Sequence, residues 1–243
     1  MEKYEDIFKK RGRSYHAAME AFPEARNLEF EHASSLLKQE PGTTILDIPA
    51  GGGYLKKFLP HSVHYLAYDF AGAFEDGHSG TKKCKESKID LPDFTADEII
   101  TLAAHHHIVD RDGFYQEIKR ILKPKGRFVI GDVVIGSKED PFLNGFLNQW
   151  NSMGHQGTFL DPEKDKQNLE RHGFFVNYEK RSYTWNFPSK EDAQSYFRKL
   201  FFLDLNPSDQ ALENEFKKLG VALGDGYAVG WSLGFLSATK HTF

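Results

Sequence analysis

The sequence is poor in cysteine, has no excess of positive charge and contains no long apolar run, and each shortage excludes a class of protein. Cys84 is the single cysteine among 243 residues, so no internal disulfide can form and we expect a reducing compartment. A formal net charge of −4 gives no general attraction to phosphate backbones, so we expect no nucleic-acid substrate. No apolar run approaches the ~18 residues that a membrane-spanning helix needs, so we expect no membrane partner.

The rest of the composition is that of an ordinary globular protein. Hydrophobic residues make up 40% of the chain and charged residues 27%, which argues against a disordered or fibrous class. A chain of this length can bury a sizeable core in one large α/β domain, with or without a small cap. Residues 1–6 are too charged for a signal peptide, so we predict a cytoplasmic location.

One stretch, residues 43–54, organises the chain. A short β-branched and apolar run ends near Asp47 and opens into three consecutive glycines at 51–53, and apolar residues at helical spacing follow. Glycine suits a turn against which a ligand lies, because it has no Cβ to keep the ligand away from the backbone. The N–H groups of the next helix would then face that ligand. The stretch therefore predicts a nucleotide-binding turn.

Two other glycine-rich turns fit less well. A dinucleotide fingerprint requires G-x-G-x-x-G, but the third position after Gly51 and Gly53 is Lys56. A phosphate-binding P-loop requires Gly-Lys-Ser/Thr after the turn, which residues 56–58 do not supply. A plain flexible turn remains the structural alternative.

A second strand, residues 63–70, ends in Asp69. This carboxylate follows the turn at the distance expected of the acid that accepts hydrogen bonds from both ribose hydroxyls in a nucleotide-binding βαβ unit. The same role serves NAD and S-adenosylmethionine (SAM), so Asp69 predicts a nucleoside without choosing between them.

Three histidines, at 105–107, follow the apolar run 99–104, which reads as a central parallel strand. Ligands in open α/β sheets lie beyond the carboxyl ends of the strands, so these imidazoles are placed where chemistry occurs. Adjacent side chains point in different directions and no second His/Asp cluster has matched ligand spacing, so we expect no metal. If an acceptor must lose a proton, His106 or His105 is the best-placed base, since imidazole titrates near neutrality.

Local signals predict the remaining elements. Asp110 or Asp112 should cap a helix, Asp161-Pro162 should open another, and Ser189 with Asp192 forms a capping box. Further predictions are a helix ending at Pro41-Gly42, a helix starting at Asn206-Pro207, strands over 127–134, 174–185 and 227–240, a weak edge strand over 82–86, a loop over 77–80, and a helical aromatic stripe beginning at Phe142.

Four of these stretches resemble class I SAM-dependent methyltransferases of the small-molecule type. Residues 46–54, LDIPAGGGY, resemble the first motif of that family, and the strand that ends in His105 and His106 resembles the fourth. Residues 121–130, ILKPKGRFVI, resemble the helix, turn and strand that follow, with Lys125 in place of a glycine. Residues 227–240 are similar to the last strand. The first three matches lie within residues 43–134.

The resemblance implies a fold and a domain plan. The fold would be a doubly wound, Rossmann-like, seven-stranded and mostly parallel sheet whose last strand is antiparallel. One domain would span residues 1–243: an N-terminal helical cap (1–40), a SAM-binding core (43–134), cap or lid helices with a strand (141–220), and the final strand (227–240).

The resemblance also implies a cofactor site. Asp47 would set the turn and the SAM amino group, Gly51 and Gly53 would admit the methionine part, and Asp90 is the nearest acid for the adenine, although Ser87 stands where that acid is often found. Tyr15 and Arg13 could touch the SAM carboxylate or the substrate. The cofactor-binding residues so implied are Tyr15, Asp47, Pro49, Ala50, Gly51, Gly53, Tyr54, Asp69, Phe70, Asp90 and Ala104, and the catalytic ones are His105 and His106.

We therefore expect SAM-dependent methyl transfer to a small molecule, with S-adenosylhomocysteine as the product, by a monomer or homodimer. The alternatives are an NAD(P)-dependent oxidoreductase on a related topology and a catalytically inactive, methyltransferase-like binding subunit. The sequence does not name the acceptor or its atom type.

Overall fold

In the computed structural model, which describes residues 4–72 and 80–241, helices and strands alternate along most of the chain. The strands are β1 (Thr44–Asp47), β2 (His64–Asp69), β3 (Lys82–Lys83), β4 (Ala96–Leu102), β5 (Leu122–Asp132), β6 (Phe174–Phe187), β7 (Val221–Leu223) and β8 (Tyr227–Lys240). The helices are α1 (Tyr4–Ala21), α2 (Asn27–Ser34), α3 (Arg111–Ile121), α4 (Asn148–Trp150), α5 (Pro162–Arg171), α6 (Lys190–Leu200) and α7 (Asp209–Leu219).

The strands form one sheet in the order β3-β2-β1-β4-β5-β8-β6, with β7 paired to β8. The five strands β1 to β5 pair in parallel, whereas β8 runs antiparallel to its neighbours β5, β6 and β7. The predicted fold class is confirmed, and the short β7 adds one strand to the seven that were predicted.

The central strands are buried on both faces, as their continuous apolar runs require. Ile45 and Ile100 face one core together with α2, α6 and α7, while Leu46 and Ile99 face a second core together with α3. Because side chains alternate between the two faces of a strand, each strand contributes to both cores.

The predicted helix starts at Asp161 and Ser189 are confirmed. Asp161 accepts from the N–H of Lys164 at 3.2 Å, and the hydroxyl of Ser189 accepts from the N–H of Asp192 at 3.1 Å. Asp110, and not Asp112, caps α3, since its carboxylate accepts from the N–H of Gly113 at 2.9 Å. Each cap satisfies an amide that has no partner inside its helix.

Four boundaries differ from the predictions. The glycine turn leads into a five-residue 3₁₀ helix, Tyr54–Phe58, instead of an α-helix. Helix α7 starts at Asp209 behind the capping Ser208, and α2 ends at Ser34, well before Pro41-Gly42. Strand β5 begins at Leu122 without a separate turn, and Lys125 takes a left-handed φ of 62° where the related motif has glycine.

Two further predictions concern shorter stretches. The edge strand is confirmed as the two-residue β3, and the loop predicted over 77–80 lies outside the described residues except for Gly80. The aromatic stripe begins in a π-helix, Pro141–Leu147, that continues into α4. Among the described residues, none of the helices is both long and apolar enough to span a bilayer.

Candidate functional site

The glycine turn lies at the carboxyl end of β1. Gly51 and Gly53 adopt left-handed φ values of 53° and 69°. A Cβ on Gly52 would lie 2.5 Å from the ring of Tyr54, so this position also excludes a side chain unless the ring moves. A hydrogen bond to β2 fixes the backbone of the turn, since the N–H of Ala50 donates to the carbonyl of Tyr68 at 2.8 Å. All three glycines therefore have a geometric reason to be there.

Asp69 lies at the end of β2, directly beside this turn. Its Oδ2 accepts from the N–H of Gly51 at 2.8 Å and from the hydroxyl of Tyr4 at 3.0 Å, while its Oδ1 accepts from the N–H of Ala71 at 2.7 Å. Burial raises the pKa of Asp69 to about 6, although these hydrogen bonds oppose the shift. The carboxylate that the sequence predicts for the ribose therefore carries the hydroxyl of Tyr4.

A cavity of about 60 Å³ lies between the glycine turn and α1. Asp47 borders it and accepts from the hydroxyl of Tyr65 at 2.6 Å, and burial raises the pKa of Asp47 to about 7. Seven predicted cofactor residues line this cavity: Tyr15, Asp47, Pro49, Ala50, Gly51, Tyr54 and Ala104. We call it the turn cavity.

The other four predicted cofactor residues do not line the turn cavity. Asp69 is fully buried behind Tyr4, and Phe70 packs edge-on against the ring of Tyr4 with ring centroids 5.5 Å apart. Gly53 shapes the turn without lining the cavity. Asp90 is exposed, and its backbone carbonyl accepts from the hydroxyl of Tyr68 at 3.4 Å.

A second cavity, of about 70 Å³, lies at the carboxyl ends of β4 and β5, and we call it the histidine cavity. It adjoins the turn cavity, since four residues line both: Phe8, Tyr15, Arg26 and Ala103. Three imidazoles border it, those of His106, His107 and His155. The two cavities are therefore neighbours, one at the glycine turn and one at the histidines.

His106 is held by Asp132, which ends β5. The Nδ1 of His106 lies 2.8 Å from Oδ1 of Asp132, and its backbone N–H donates to Oδ2 at 2.8 Å. The N–H of Val133 donates to the same carboxylate at 2.7 Å. Burial by itself would raise the pKa of Asp132, but contact with His106 outweighs it and lowers that pKa. An ionised carboxylate therefore fixes the Nδ1–H tautomer and leaves Nε2 as the basic nitrogen.

His105 has a different environment. Its Nε2 lies 2.7 Å from the hydroxyl of Tyr115, the two rings are stacked, and the residue is fully buried without lining either cavity. Burial lowers the pKa of His105 to about 3. This placement favours His106 over His105 as a base.

Sequence reasoning did not find His155 or Asp132. One ring nitrogen from each of His106, His107 and His155 lies within 4.8 Å of the others. Among the described residues, these three are therefore spaced closely enough to hold a metal ion. His155 comes from the stretch between α4 and α5, which has no periodic pattern to reveal it. Asp132 had a usable signal, because an acid at the carboxyl end of a central strand lies at the ligand-binding edge.

Two buried arginines also border the histidine cavity. Arg26 donates to the hydroxyl of Tyr15 at 2.7 Å and pairs with Glu29, which in turn accepts from the indole N–H of Trp185 at 2.9 Å. Arg11, on α1, is 5% exposed. Arg13, which the sequence offered for the SAM carboxylate, is exposed on the same helix.

A much larger depression, of about 980 Å³, lies elsewhere, between the end of α1 and the β7–β8 hairpin. Phe22 and Leu223 line it, and it contains none of the predicted site residues. Despite its size, this depression is therefore not part of the predicted site at the glycine turn.

Comparison with known proteins places this geometry in a family. Residues 46–130 match the family model described as a methyltransferase domain, and no curated protein matches the sequence. A SAM-dependent methyltransferase from Archaeoglobus fulgidus is 16% identical, with a TM-score of 0.58 over 93% of this chain and 99% of that chain.

Two further solved structures extend over almost the whole chain. Phosphoethanolamine N-methyltransferase 2 of Haemonchus contortus, in complex with S-adenosyl-L-methionine, is 17% identical, with a TM-score of 0.62 over 100% of this chain and 61% of that chain. One chain of a Haloferax volcanii complex that contains the Trm112 methyltransferase activator is 16% identical, with a TM-score of 0.62 over 98% of each chain.

The solved structures establish the fold, and the family model establishes the domain. The matched segment contains the glycine turn, Asp69 and the three consecutive histidines. The predicted resemblance and the methyltransferase class are supported at the level of this domain, and the similar Haemonchus contortus structure was solved with S-adenosyl-L-methionine. Residues 46–130 thus match a methyltransferase domain, in a chain whose fold is similar to that of solved SAM-dependent methyltransferases.

Proposed function

We propose that this protein transfers the methyl group of SAM to a small molecule that binds in the histidine cavity. The observation that carries the proposal is the junction of the two cavities, which share Phe8, Tyr15, Arg26 and Ala103. A cofactor in the turn cavity would have its sulfonium near this junction and its methyl group directed at the histidines. Methyl transfer needs little from the protein beyond alignment of acceptor and methyl and exclusion of water.

The N-terminal part of α1 must move for the cofactor to bind. Ligand pockets are typically about 300–1,000 Å³, whereas the turn cavity holds about 60 Å³. Tyr4 covers Asp69, and Phe8 stands beside it, with ring centroids 4.4 Å apart. We propose that a ribose hydroxyl replaces the hydroxyl of Tyr4 on Asp69 when this end of the helix moves away.

The later part of α1 can stay in place during this change. The hydroxyl of Ser14 donates to the carbonyl of Lys199 at 2.7 Å, and Tyr15 is bonded to Arg26. His16 lies 2.7 Å from the hydroxyl of Tyr54 through its Nδ1. Three contacts to three different elements therefore hold the helix beyond Arg11.

His106 is the proposed proton acceptor. Nε2 takes the proton that an O–H or N–H acceptor loses as it attacks the methyl carbon, and Asp132 stabilises the resulting imidazolium. The electron pair of the broken carbon–sulfur bond stays on sulfur, which leaves S-adenosylhomocysteine. His106→Ala should reduce turnover while SAM affinity stays unchanged. Unchanged turnover would remove His106 from the mechanism.

Calorimetric titration with SAM, S-adenosylhomocysteine and NAD tests the cofactor, and a methylation screen of a metabolite pool tests the reaction. We expect binding of both adenosyl ligands, no binding of NAD, and methylation of at least one small molecule. Binding of NAD alone would support the oxidoreductase alternative. Binding of no ligand together with no turnover would support the inactive binding subunit.

A further inference from the structure

Arg11 is a buried cation that has no directly bonded anion among the described residues, although the exposed carboxylate of Asp204 acts on it from beyond ion-pair distance. None of the described residues accepts a hydrogen bond from Arg11 or forms an ion pair with it, and its Nε is buried without a partner. Its aromatic contact is with the ring of Phe8, 6.0 Å from the guanidinium carbon. A buried guanidinium in this state costs free energy unless a ligand supplies the missing negative charge.

Arg26 provides the internal comparison. It is as buried as Arg11, at 5% exposure, and borders the same cavity, but Glu29 neutralises it. The fold therefore pairs Arg26 directly with a carboxylate, whereas Arg11 lines the cavity without a directly bonded anion among the described residues.

The groups around Arg11 favour an anion over a metal ion. Burial, neighbouring histidines and the charge of Arg11 lower the pKa values of His107 and His155 well below the ordinary range, so both rings are neutral. Neutral imidazoles can bind a metal, but the positive charge of Arg11 beside them disfavours a divalent cation in the same cavity. Asp204 and Tyr15 are the other ionisable groups that act on Arg11, and Asp204 is exposed and bonded to Ser152.

Part of the wall of the histidine cavity is aromatic. Trp185 and Trp231 stack with ring centroids 4.3 Å apart, and Phe201 stacks on Trp231 at 6.1 Å. All three residues line the cavity. A planar apolar body would fit against this wall while a charged end reached Arg11.

We infer that the methyl acceptor carries a carboxylate, which binds to Arg11 while its nucleophilic atom lies near His106. This inference rests on the proposed function and names the substrate class of the same site. A carboxylate can accept two parallel N–H bonds from one guanidinium, which fixes both its position and its orientation. Since α1 is anchored from Ser14 onward, Arg11 can remain in place when the first turns of the helix admit the cofactor.

The test compares acids with their amides in protein saturated with S-adenosylhomocysteine. Calorimetry would measure binding of 4-hydroxybenzoate against 4-hydroxybenzamide, and of indole-3-acetate against indole-3-acetamide. We expect at least one acid to bind at least about tenfold more tightly than its amide. Arg11→Met keeps the length of the side chain and removes the charge, so it should abolish that preference while the affinity for S-adenosylhomocysteine stays unchanged.

Arg13→Met is the matched control, because Arg13 is exposed on the same helix and should leave the preference intact. The inference is overturned if no acid binds, if acid and amide bind equally, or if Arg11→Met retains the preference. Tight binding of Zn²⁺ by the wild-type protein, with no binding of the acids, would also overturn it. Failure of the adenosyl ligands to bind would instead refute the proposed function.

Discussion

Two buried aspartates, Asp69 at the end of β2 and Asp132 at the end of β5, lie at the same edge of the sheet and differ in their partners. Both are fully buried and both accept three or more hydrogen bonds. Asp69 receives neutral donors only, and its pKa is raised, whereas Asp132 contacts an imidazole and its pKa is lowered. The end of a strand places each carboxylate at this edge of the sheet. The neighbouring side chain then determines whether the carboxylate accepts from a hydroxyl, as Asp69 does, or contacts an imidazole, as Asp132 does.

Asp132→Asn should give the largest effect. The amide cannot stabilise an imidazolium on His106, so kcat should fall by about 10²–10⁴, the range of a general base and its orienting carboxylate. The affinity for SAM should be unchanged, because Asp132 lines only the histidine cavity. Steady-state kinetics and calorimetry on the same preparation measure both quantities. A variant that loses SAM affinity and kcat together would contradict the division of roles.

The two aspartates should also give opposite pH dependences of stability. The pKa of Asp69 is about 6 in the folded chain against an ordinary 3.8, so the folded state binds more protons between these values. The free energy of unfolding should therefore fall as the pH rises from about 4 to about 6, by up to about 3 kcal/mol from this group. Asp132, whose pKa is lowered, contributes stability that is lost as the pH falls below about 4.

Urea unfolding between pH 3 and pH 7 measures this difference. Asp69→Asn should remove much of the fall between about pH 4 and 6. Asp47, with a pKa of about 7, adds a fall that the wild type and the variant share. Parallel profiles of the wild type and the variant would show that Asp69 does not titrate in this interval.

Asp69→Asn should weaken SAM binding by about 10- to 100-fold, since hydrogen bonds to a charged group are worth about 1.5–3 kcal/mol. At saturating SAM, kcat should change little, because Asp69 does not line the histidine cavity. Calorimetry with SAM, with Asp112→Asn as an exposed control outside the site, checks this. An unchanged affinity would remove Asp69 from the nucleoside site.

Tyr4→Phe should have the smallest effect and the opposite sign. It removes the hydroxyl that occupies Asp69 while keeping the ring against Phe70. SAM should bind about 2- to 10-fold more tightly, because one ordinary hydrogen bond no longer opposes it. Weaker binding would mean that Tyr4 helps to hold the cofactor and does not compete with it.

The fold could be predicted because its signals are local. The apolar run before the glycines, the acid after β2 and the Ser189 capping box each depend on residues close together in the chain. The 3₁₀ helix after the turn departs from the prediction because Pro60 leaves too few residues for a longer helix.

The histidine cavity could not be predicted, because it is formed by contacts between residues that lie far apart in the sequence. His155 meets His106 from a stretch of irregular structure, and Arg11 reaches the cavity because α1 folds back over the sheet. His155 lies 49 residues after His106, and Arg11 lies 95 residues before it, so no periodic pattern in the sequence relates the three. The proposed roles of the site residues stay predictions until the variants are measured.

The bond between Tyr4 and Asp69 also determines how fast a cofactor can arrive. If α1 must open as proposed, an adenosyl ligand enters only while the first turns of this helix are detached, so its association is an opening step followed by binding. The observed rate should level off at high SAM concentration at the opening rate, and the apparent dissociation constant should exceed the intrinsic one by the reciprocal of the open fraction. The N-terminal helix thereby sets a ceiling on cofactor exchange that no increase in SAM concentration can overcome.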